Sequence, residues 1–124
     1  MRIGVFATRL AGTDGVSLET AKWADVLERM GHEVLYCAGE LDDSSRPGQC
    51  IPTMHFRDDA AEVVGVRAFQ SSEPDAALDE ELIGLAAPLL RDMSGFVEER
   101  GIELLLVENA HAIPMQLPLG RALA

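Results

Sequence analysis

The sequence of 124 residues lacks several features that mark particular classes of protein. It has two cysteines, Cys37 and Cys50, which are too few for a disulfide framework and favour buried or idle thiols. Its three histidines are far apart without metal-ligand spacing, so we expect no metal held by this chain alone. No apolar run approaches the roughly 20 residues that span a bilayer, and no signal-peptide pattern is present. The default expectation is a cytoplasmic protein without a transmembrane segment.

Positive charge is also scarce, since ten Lys and Arg residues face 21 Asp and Glu residues and the net charge is −11. The acidic residues cluster at 42–43, 58–62 and 73–81. Such a chain repels nucleic-acid phosphates and anionic lipids, which excludes both as expected partners. Hydrophobic residues, in contrast, make up 48% of the chain and are enough for the core of one domain.

A βαβ unit opens the chain. Residues 2–7 form a short apolar run typical of a strand buried on both faces. Residues 16–30 have apolar positions at helical spacing, including Trp23, which we expect in the core. Gly31 follows where a left-handed helix cap is usual, and residues 33–37 predict a second strand.

The middle of the chain is less regular. Residues 38–50 predict a loop rich in Gly, Asp, Ser and Pro, and residues 51–56 predict a third strand, which Pro52 limits to a short or edge piece. Residues 57–75 are ambiguous, with a helical turn predicted at 58–64.

A long helix and a last strand follow. Residues 76–100 carry an apolar stripe expected in the core, and Pro88 should kink the helix or split it in two. Gly101 ends the helix, residues 102–107 predict a buried strand, and residues 118–124 resemble a helix that has barely begun. The prediction is an α/β fold, a parallel three-layer Rossmann-like sheet of about four strands in the order 3-2-1-4. Because its last strand would be an uncovered edge, we expect residues 1–124 to be an incomplete, truncated domain.

Ligands of open parallel sheets bind beyond the carboxyl ends of the strands, where the loops after the first and last strands should face each other. The candidate binding residues are Arg9, Gly12, Thr13, Asp14, Gly15, Glu108 and Asn109, and the candidate catalytic residue is His111.

The first of these loops has physical reasons to bind an anion. Gly12 and Gly15 permit positive φ angles and a close approach of the backbone, and the helix that follows directs its free N–H groups at the loop. The alternative is a tight turn in which Asp14 or Thr13 caps the helix. Neither Gly-x-Gly-x-x-Gly nor Gly-Lys-Ser/Thr is present, so the sequence has neither a dinucleotide fingerprint nor a P-loop.

The remaining candidates each allow two interpretations. Arg9 would direct a cation toward phosphate or lie on the surface. Glu108 and Asn109 would contact a ligand or cap the next helix. His111 would contact a sugar or transfer a proton, or be a loop histidine without a role in chemistry.

Residues 1–41 resemble the opening of glycosyltransferases with two Rossmann-like domains, the GT-B architecture, and especially the retaining family 4. The resemblance depends on Arg-Ile-Gly-Val-Phe-Ala at 2–7, Gly-Thr-Asp-Gly-Val at 12–16 and Gly-His-Glu-Val at 31–34. Residues 102–120 are similar as well, with Glu-Asn at 108–109 and Ile-Pro at 113–114. Thr13 and Asp14 separate the glycines that are adjacent in that family.

The resemblance implies an acceptor-side domain that takes part in hexose transfer from a nucleoside-diphosphate sugar to a small acceptor, without a further cofactor. Gly12 and Gly15 would lie beside the donor diphosphate, and residues 108–111 would face the acceptor. The donor-binding C-terminal domain is absent, so the chain alone would be inactive, and it would pair with that domain or form a homodimer. The alternative is a free-standing nucleotide-binding or phosphate-binding module, or a dimerising one, without catalysis.

Overall fold

The computed structural model describes residues 1–42 and 46–124. Asp43, Ser44 and Ser45, which belong to a predicted acidic cluster and a predicted loop, lie outside the described residues. The elements in chain order are β1 (Arg2–Ala7), α1 (Gly15–Arg29), β2 (Glu33–Ala38), β3 (Gly48–Cys50), a short 3-10 helix (Pro52–Met54), α2 (Asp59–Gln70), α3 (Ala76–Arg100), β4 (Leu104–Val107) and α4 (Leu117–Leu123).

The four strands form one parallel sheet in the order β3-β2-β1-β4, which confirms the predicted fold class and strand order. β1 pairs with β2 over its whole length and with β4 from Ile3 to Phe6. The carboxyl ends of β1 and β4 are therefore adjacent, and the loops that follow them leave the same edge of the sheet.

Alternating side chains of the central strands enter two separate cores. On one face, Phe6 and Cys37 pack with residues of α3 and α4, and the rings of Phe6 and Phe96 meet edge-on at 5.8 Å between centroids. On the other face, Val5 and Tyr36 pack with Ala24 of α1. Helices on both faces explain why the strands of this parallel sheet are apolar throughout rather than alternating with polar residues.

The predicted third strand is wrong in its position. The strand occupies Gly48–Cys50, inside the predicted loop, whereas the residues predicted as strand contain the 3-10 helix. Pro52 begins that turn because it lacks an N–H group for a strand ladder and its fixed φ suits a helical start. Gly48 pairs with Tyr36 in this strand. A Cβ atom at position 48 would lie 1.9 Å from the Tyr36 carbonyl oxygen, so a glycine is required there.

The core position predicted for Trp23 is also wrong, because 57% of Trp23 is exposed. The face of α1 that contacts the sheet contains Thr20 and Ala24, both buried, with Val16 and Leu27 partly buried. Thr20 and Ala24 are small, which lets α1 pack against the sheet. The Trp23 indole lies outside this contact.

The helices on the other face are more regular than predicted. α2 extends to Gln70, well beyond the expected turn. α3 is one element with Pro88 inside it at an exposed position, so the predicted split is not seen. Gly101 ends α3 in the left-handed conformation with φ 61°, as expected. No helix within residues 1–42 and 46–124 is long and apolar enough to cross a membrane.

Candidate functional site

A crevice of about 400 Å³ lies beyond the carboxyl ends of β1 and β4. The two loops that were predicted to face each other both contribute to it. Its lining consists of Thr8, Arg9, Asp14, Val16, Glu40, His55, Phe56, Arg57, Glu108, Asn109 and Met115. Volume and position both suit a small-molecule site of an open parallel sheet.

A close backbone crossing at Gly39 brings a distant segment into this crevice. The Gly39 N–H group donates to the Thr8 carbonyl oxygen at 3.0 Å. A Cβ atom on Gly39 would lie 2.2 Å from the His55 nitrogen and 2.7 Å from the Thr8 oxygen. Only glycine allows these three segments to meet, and their meeting places His55 beside the end of β1.

The buried side chain of Gln116 holds the same segment in place. Its side chain is only 1% exposed, and its amide Nε2 donates to the carbonyl oxygens of Thr53 and His55 at 2.7 and 3.2 Å. Its Oε1 accepts from the Leu119 N–H group at 3.1 Å, which caps the N-terminus of α4. One buried amide thus ties the turn before His55 to the helix after β4.

Arg9 lies between two carboxylates. Its Nε donates to Glu40 at 2.9 Å, and its Nη1 donates to Asp14. The hydrogen bond from Arg9 lowers the pKa of Glu40, against a smaller opposing effect of desolvation, and a contact with His55 lowers it further. Both acceptors are therefore ionised at neutral pH, and the charge of Arg9 is already balanced by neighbouring groups.

Asp14 also caps α1, which is the alternative that the sequence allowed. Desolvation raises the pKa of Asp14, but hydrogen bonds from the Ser17 backbone and hydroxyl, together with the charge of Arg9, leave the pKa below its usual value. The cap distance from the Ser17 nitrogen to Oδ1 is 3.0 Å.

The hydrogen bonds of His55 define its tautomer. The Arg57 backbone N–H group donates to Nδ1 at 3.0 Å, so Nδ1 acts as an acceptor and the ring proton of the neutral form is on Nε2. Nε2 then donates to the Glu40 carboxylate at 3.0 Å. The ring also stacks on Phe56 with 4.4 Å between centroids. These contacts hold the ring of His55, a lining residue of the crevice, in one orientation.

The charges lining the crevice nearly cancel. Two guanidinium groups, Arg9 and Arg57, face three carboxylates, Asp14, Glu40 and Glu108, which leaves a formal charge of −1 with neutral His55. Carboxylate and amide oxygens accept hydrogen bonds from hydroxyl groups, and guanidinium N–H groups donate to hydroxyl oxygens. The lining is better matched to a polyhydroxylated neutral molecule than to a dianion. No group of three or more His, Cys, Asp and Glu residues in the described part of the chain is placed to hold a metal ion.

The other predicted residues are distributed unevenly around this site. Glu108 and Asn109 line the crevice, and Asn109 has a positive φ of 61°, a conformation that asparagine tolerates. Gly12 has a positive φ of 70°, as predicted, but its N–H group donates to the Asp42 carboxylate at 2.7 Å and it faces a separate depression. The positive φ predicted for Gly15 is wrong, because this residue begins α1 as an ordinary helical residue.

Four predicted residues are not part of the crevice lining, namely Gly12 and Gly15, described above, and Thr13 and His111. Thr13 and His111 are both exposed and lie outside the set of residues that form the crevice walls. The catalytic role given to His111 stays a prediction, and the capping role foreseen for Glu108 and Asn109 belongs instead to Gln116.

Sequence reasoning missed the residues contributed by the middle of the chain. Glu40, His55, Phe56 and Arg57 line the crevice although no pattern in their neighbourhood indicated a site. The available signal was Gly39, a glycine directly after a buried strand, which marks a place where another backbone approaches closely.

Comparison with known proteins gives a partial match. The chain is 35% identical over 69 residues to mannosylglucosylglycerate synthase of Petrotoga mobilis. The chain is similar to a glycosyltransferase over part of its length. The matched segment is 56% of this chain but 16% of that protein, so it supports a distant relationship to a glycosyltransferase and nothing finer. No family model matches the chain, and no solved structure matches it.

Proposed function

We propose that this chain is the acceptor-side, Rossmann-like part of a glycosyltransferase of the GT-B architecture and retaining family 4. It would take part in hexose transfer from a nucleoside-diphosphate sugar to a small acceptor. The observation that supports this most is the crevice at the ends of β1 and β4, whose lining suits sugar hydroxyls. The partial similarity to a glycosyltransferase and the Gly-His-Glu-Val sequence at 31–34 agree with it.

The acceptor would lie in the crevice itself. Glu108 and Asn109 offer oxygen acceptors in this lining, and Arg57 offers N–H donors. No salt bridge within residues 1–42 and 46–124 involves Arg57, which packs over the Phe56 ring at 5.7 Å. Its guanidinium is therefore more accessible to a ligand than that of Arg9.

The donor diphosphate would approach the N-terminus of α1. A Cβ atom added to Gly15 would meet open space, so packing within this chain does not fill that position. The Asp14 carboxylate already accepts from the Ser17 N–H group, so the diphosphate would meet the other N–H groups of the first helical turn. Residues of a second, donor-binding domain would complete the site, and this chain alone would bind substrate without turning it over.

Isothermal titration calorimetry of the chain with methyl glycosides of glucose, mannose and galactose tests the acceptor site. We expect millimolar binding of at least one glycoside, weakened about tenfold by Glu108→Ala because one charge-assisted hydrogen bond is lost. Glu98→Ala on the exposed end of α3 is the matched control and should bind like the wild type. Equal binding by both variants would contradict the proposed site.

One observation favours a second candidate, a dimerising module. β4 is an edge strand, and Leu104 and Leu105 are 44% and 46% exposed. An edge of this kind can pair with the same edge of a second copy. Sedimentation velocity across a concentration series tests this; a single monomeric species at all concentrations would exclude it.

A further inference from the structure

An apolar groove runs along the outer side of α2. It has a volume of about 800 Å³, and we call it the α2 groove; its apolar walls are formed by Phe56, Val63, Val66, Phe69, Pro114 and Met115. Val66 and Phe69 are 58% and 69% exposed, and Val63 is exposed as well. α2 buries only Ala61 and Val64 of its own residues, so its apolar side chains exceed what its packing in this fold requires.

The α2 groove is continuous with the crevice. Phe56 and Met115 belong to the lining of both. A single ligand can therefore place a polar group among Glu108 and Arg57 and extend past the Phe56 and Met115 side chains along Val66.

Charge separates the two parts of this path. The crevice is lined by five formally charged side chains, whereas the α2 groove is lined by two, Glu62 and Arg67. Arg67 is occupied by ion pairs with Glu81 and, at 3.5 Å, with Asp75. The cation of this groove is already paired, so its lining favours a hydrocarbon chain over an anionic group.

We propose that the α2 groove binds the hydrocarbon chain of an amphiphilic acceptor whose sugar head group lies in the crevice. The head-group part rests on the proposed function, whereas the chain-binding part rests on the groove alone.

Octyl β-D-glucoside, kept below its critical micelle concentration, and methyl β-D-glucoside test this proposal. Binding is followed by NMR of the ¹³C-labelled methionine methyl groups, since Met115 lies where the two cavities join. Burying about four methylene groups predicts roughly 200-fold tighter binding of the octyl compound. Equal affinities for the two glucosides would overturn the groove proposal and leave the sugar site standing.

Two matched variants place the hydrocarbon chain. Val66→Asp puts a charge in the α2 groove and should reduce octyl glucoside binding at least tenfold, with methyl glucoside binding unchanged. Val26→Asp, an exposed valine of α1 on the opposite face of the sheet, should leave both unchanged. Equal effects of the two substitutions would overturn the groove. Octyl tetraethylene glycol ether separates the two claims: if it binds as tightly as octyl glucoside, the sugar site fails and the groove remains.

Discussion

Replacing Gln116 with alanine removes the connection between the His55 segment and α4. The wild-type side chain makes three hydrogen bonds, two as donor to the Thr53 and His55 carbonyl oxygens and one as acceptor from the Leu119 N–H group. The residue is 1% exposed, so water does not replace these partners without rearrangement of the surroundings.

The expected loss follows from these contacts. A buried intramolecular hydrogen bond contributes about 1 kcal/mol net, and an unsatisfied buried partner raises the cost toward the upper end of its range. Three bonds, one of which is the α4 cap, give about 3 kcal/mol. That is a large part of the roughly 5–15 kcal/mol that stabilises an ordinary domain.

Urea unfolding followed by far-ultraviolet circular dichroism measures this loss. With a slope of about 1.5 kcal/mol/M, the midpoint should fall by roughly 2 M in Gln116→Ala. Gln70→Ala, at the exposed end of α2, is the control and should change the midpoint little. A loss below about 1 kcal/mol in Gln116→Ala would refute the claim that the Gln116 amide holds the His55 segment against α4.

Three further predictions concern glycine, cysteine and aspartate positions. Gly15→Ala should leave stability unchanged or raise it by up to about 1 kcal/mol in thermal unfolding, whereas Gly12→Ala, at φ 70°, should lower it by about 1–2 kcal/mol. Burial raises the pKa of the Cys37 thiol to about 12, so iodoacetamide at pH 8 should label Cys50 alone in the folded chain, as mass spectrometry will show. Asp14 should stabilise the fold by about 1 kcal/mol relative to Asp14→Ala. Because the pKa of Asp14 is lowered in the folded state, this difference in unfolding free energy should be complete above about pH 5 and should vanish as the pH falls through the folded pKa.

Each of these has an outcome that contradicts it. A destabilised Gly15→Ala would mean that its Cβ meets a neighbour. Labelling of Cys37 in the folded chain would show that β2 is accessible from the α3 side. An Asp14→Ala difference that persists at pH 2 would show that the cap does not depend on the ionised carboxylate.

The fold was predictable because its main elements follow from strong local patterns. Apolar runs flanked by glycine mark β1 and β2, and Gly101 marks the end of α3. The order 3-2-1-4 follows from the preferred connections of parallel strands rather than from any single residue.

The features that were predicted wrongly, the position of β3 and the burial of Trp23, depend on tertiary contacts. β3 is three residues long and carries no alternation, and its position is fixed by the close pairing of Gly48 with Tyr36. Trp23 belongs to an apolar helical pattern, but Thr20 and Ala24 take the face that contacts the sheet. The apolar periodicity of a segment does not determine how closely two strands pair, nor which residues of a helix contact the sheet.

Half of the site residues predicted from the sequence line the crevice. Arg9, Asp14, Glu108 and Asn109 line the crevice because they follow β1 and β4, and the sheet order places those ends together. His55 enters through the crossing at Gly39, a contact between residues 16 apart that no local spacing indicates. The same crossing explains why the charge of Arg9 is balanced by Glu40, which changes the expected ligand from an anion to a neutral sugar.

The central claim is that the crevice binds sugar hydroxyls, and an NMR titration tests it most directly. The ¹⁵N-labelled chain is titrated with a methyl glycoside and, separately, with inorganic phosphate. We predict that the glycoside shifts the His55 ring and the Arg57 and Glu108 amide resonances, and that phosphate leaves these resonances unchanged. Shifts of these resonances with phosphate, together with none with any glycoside, would contradict the claim that the crevice binds sugar hydroxyls.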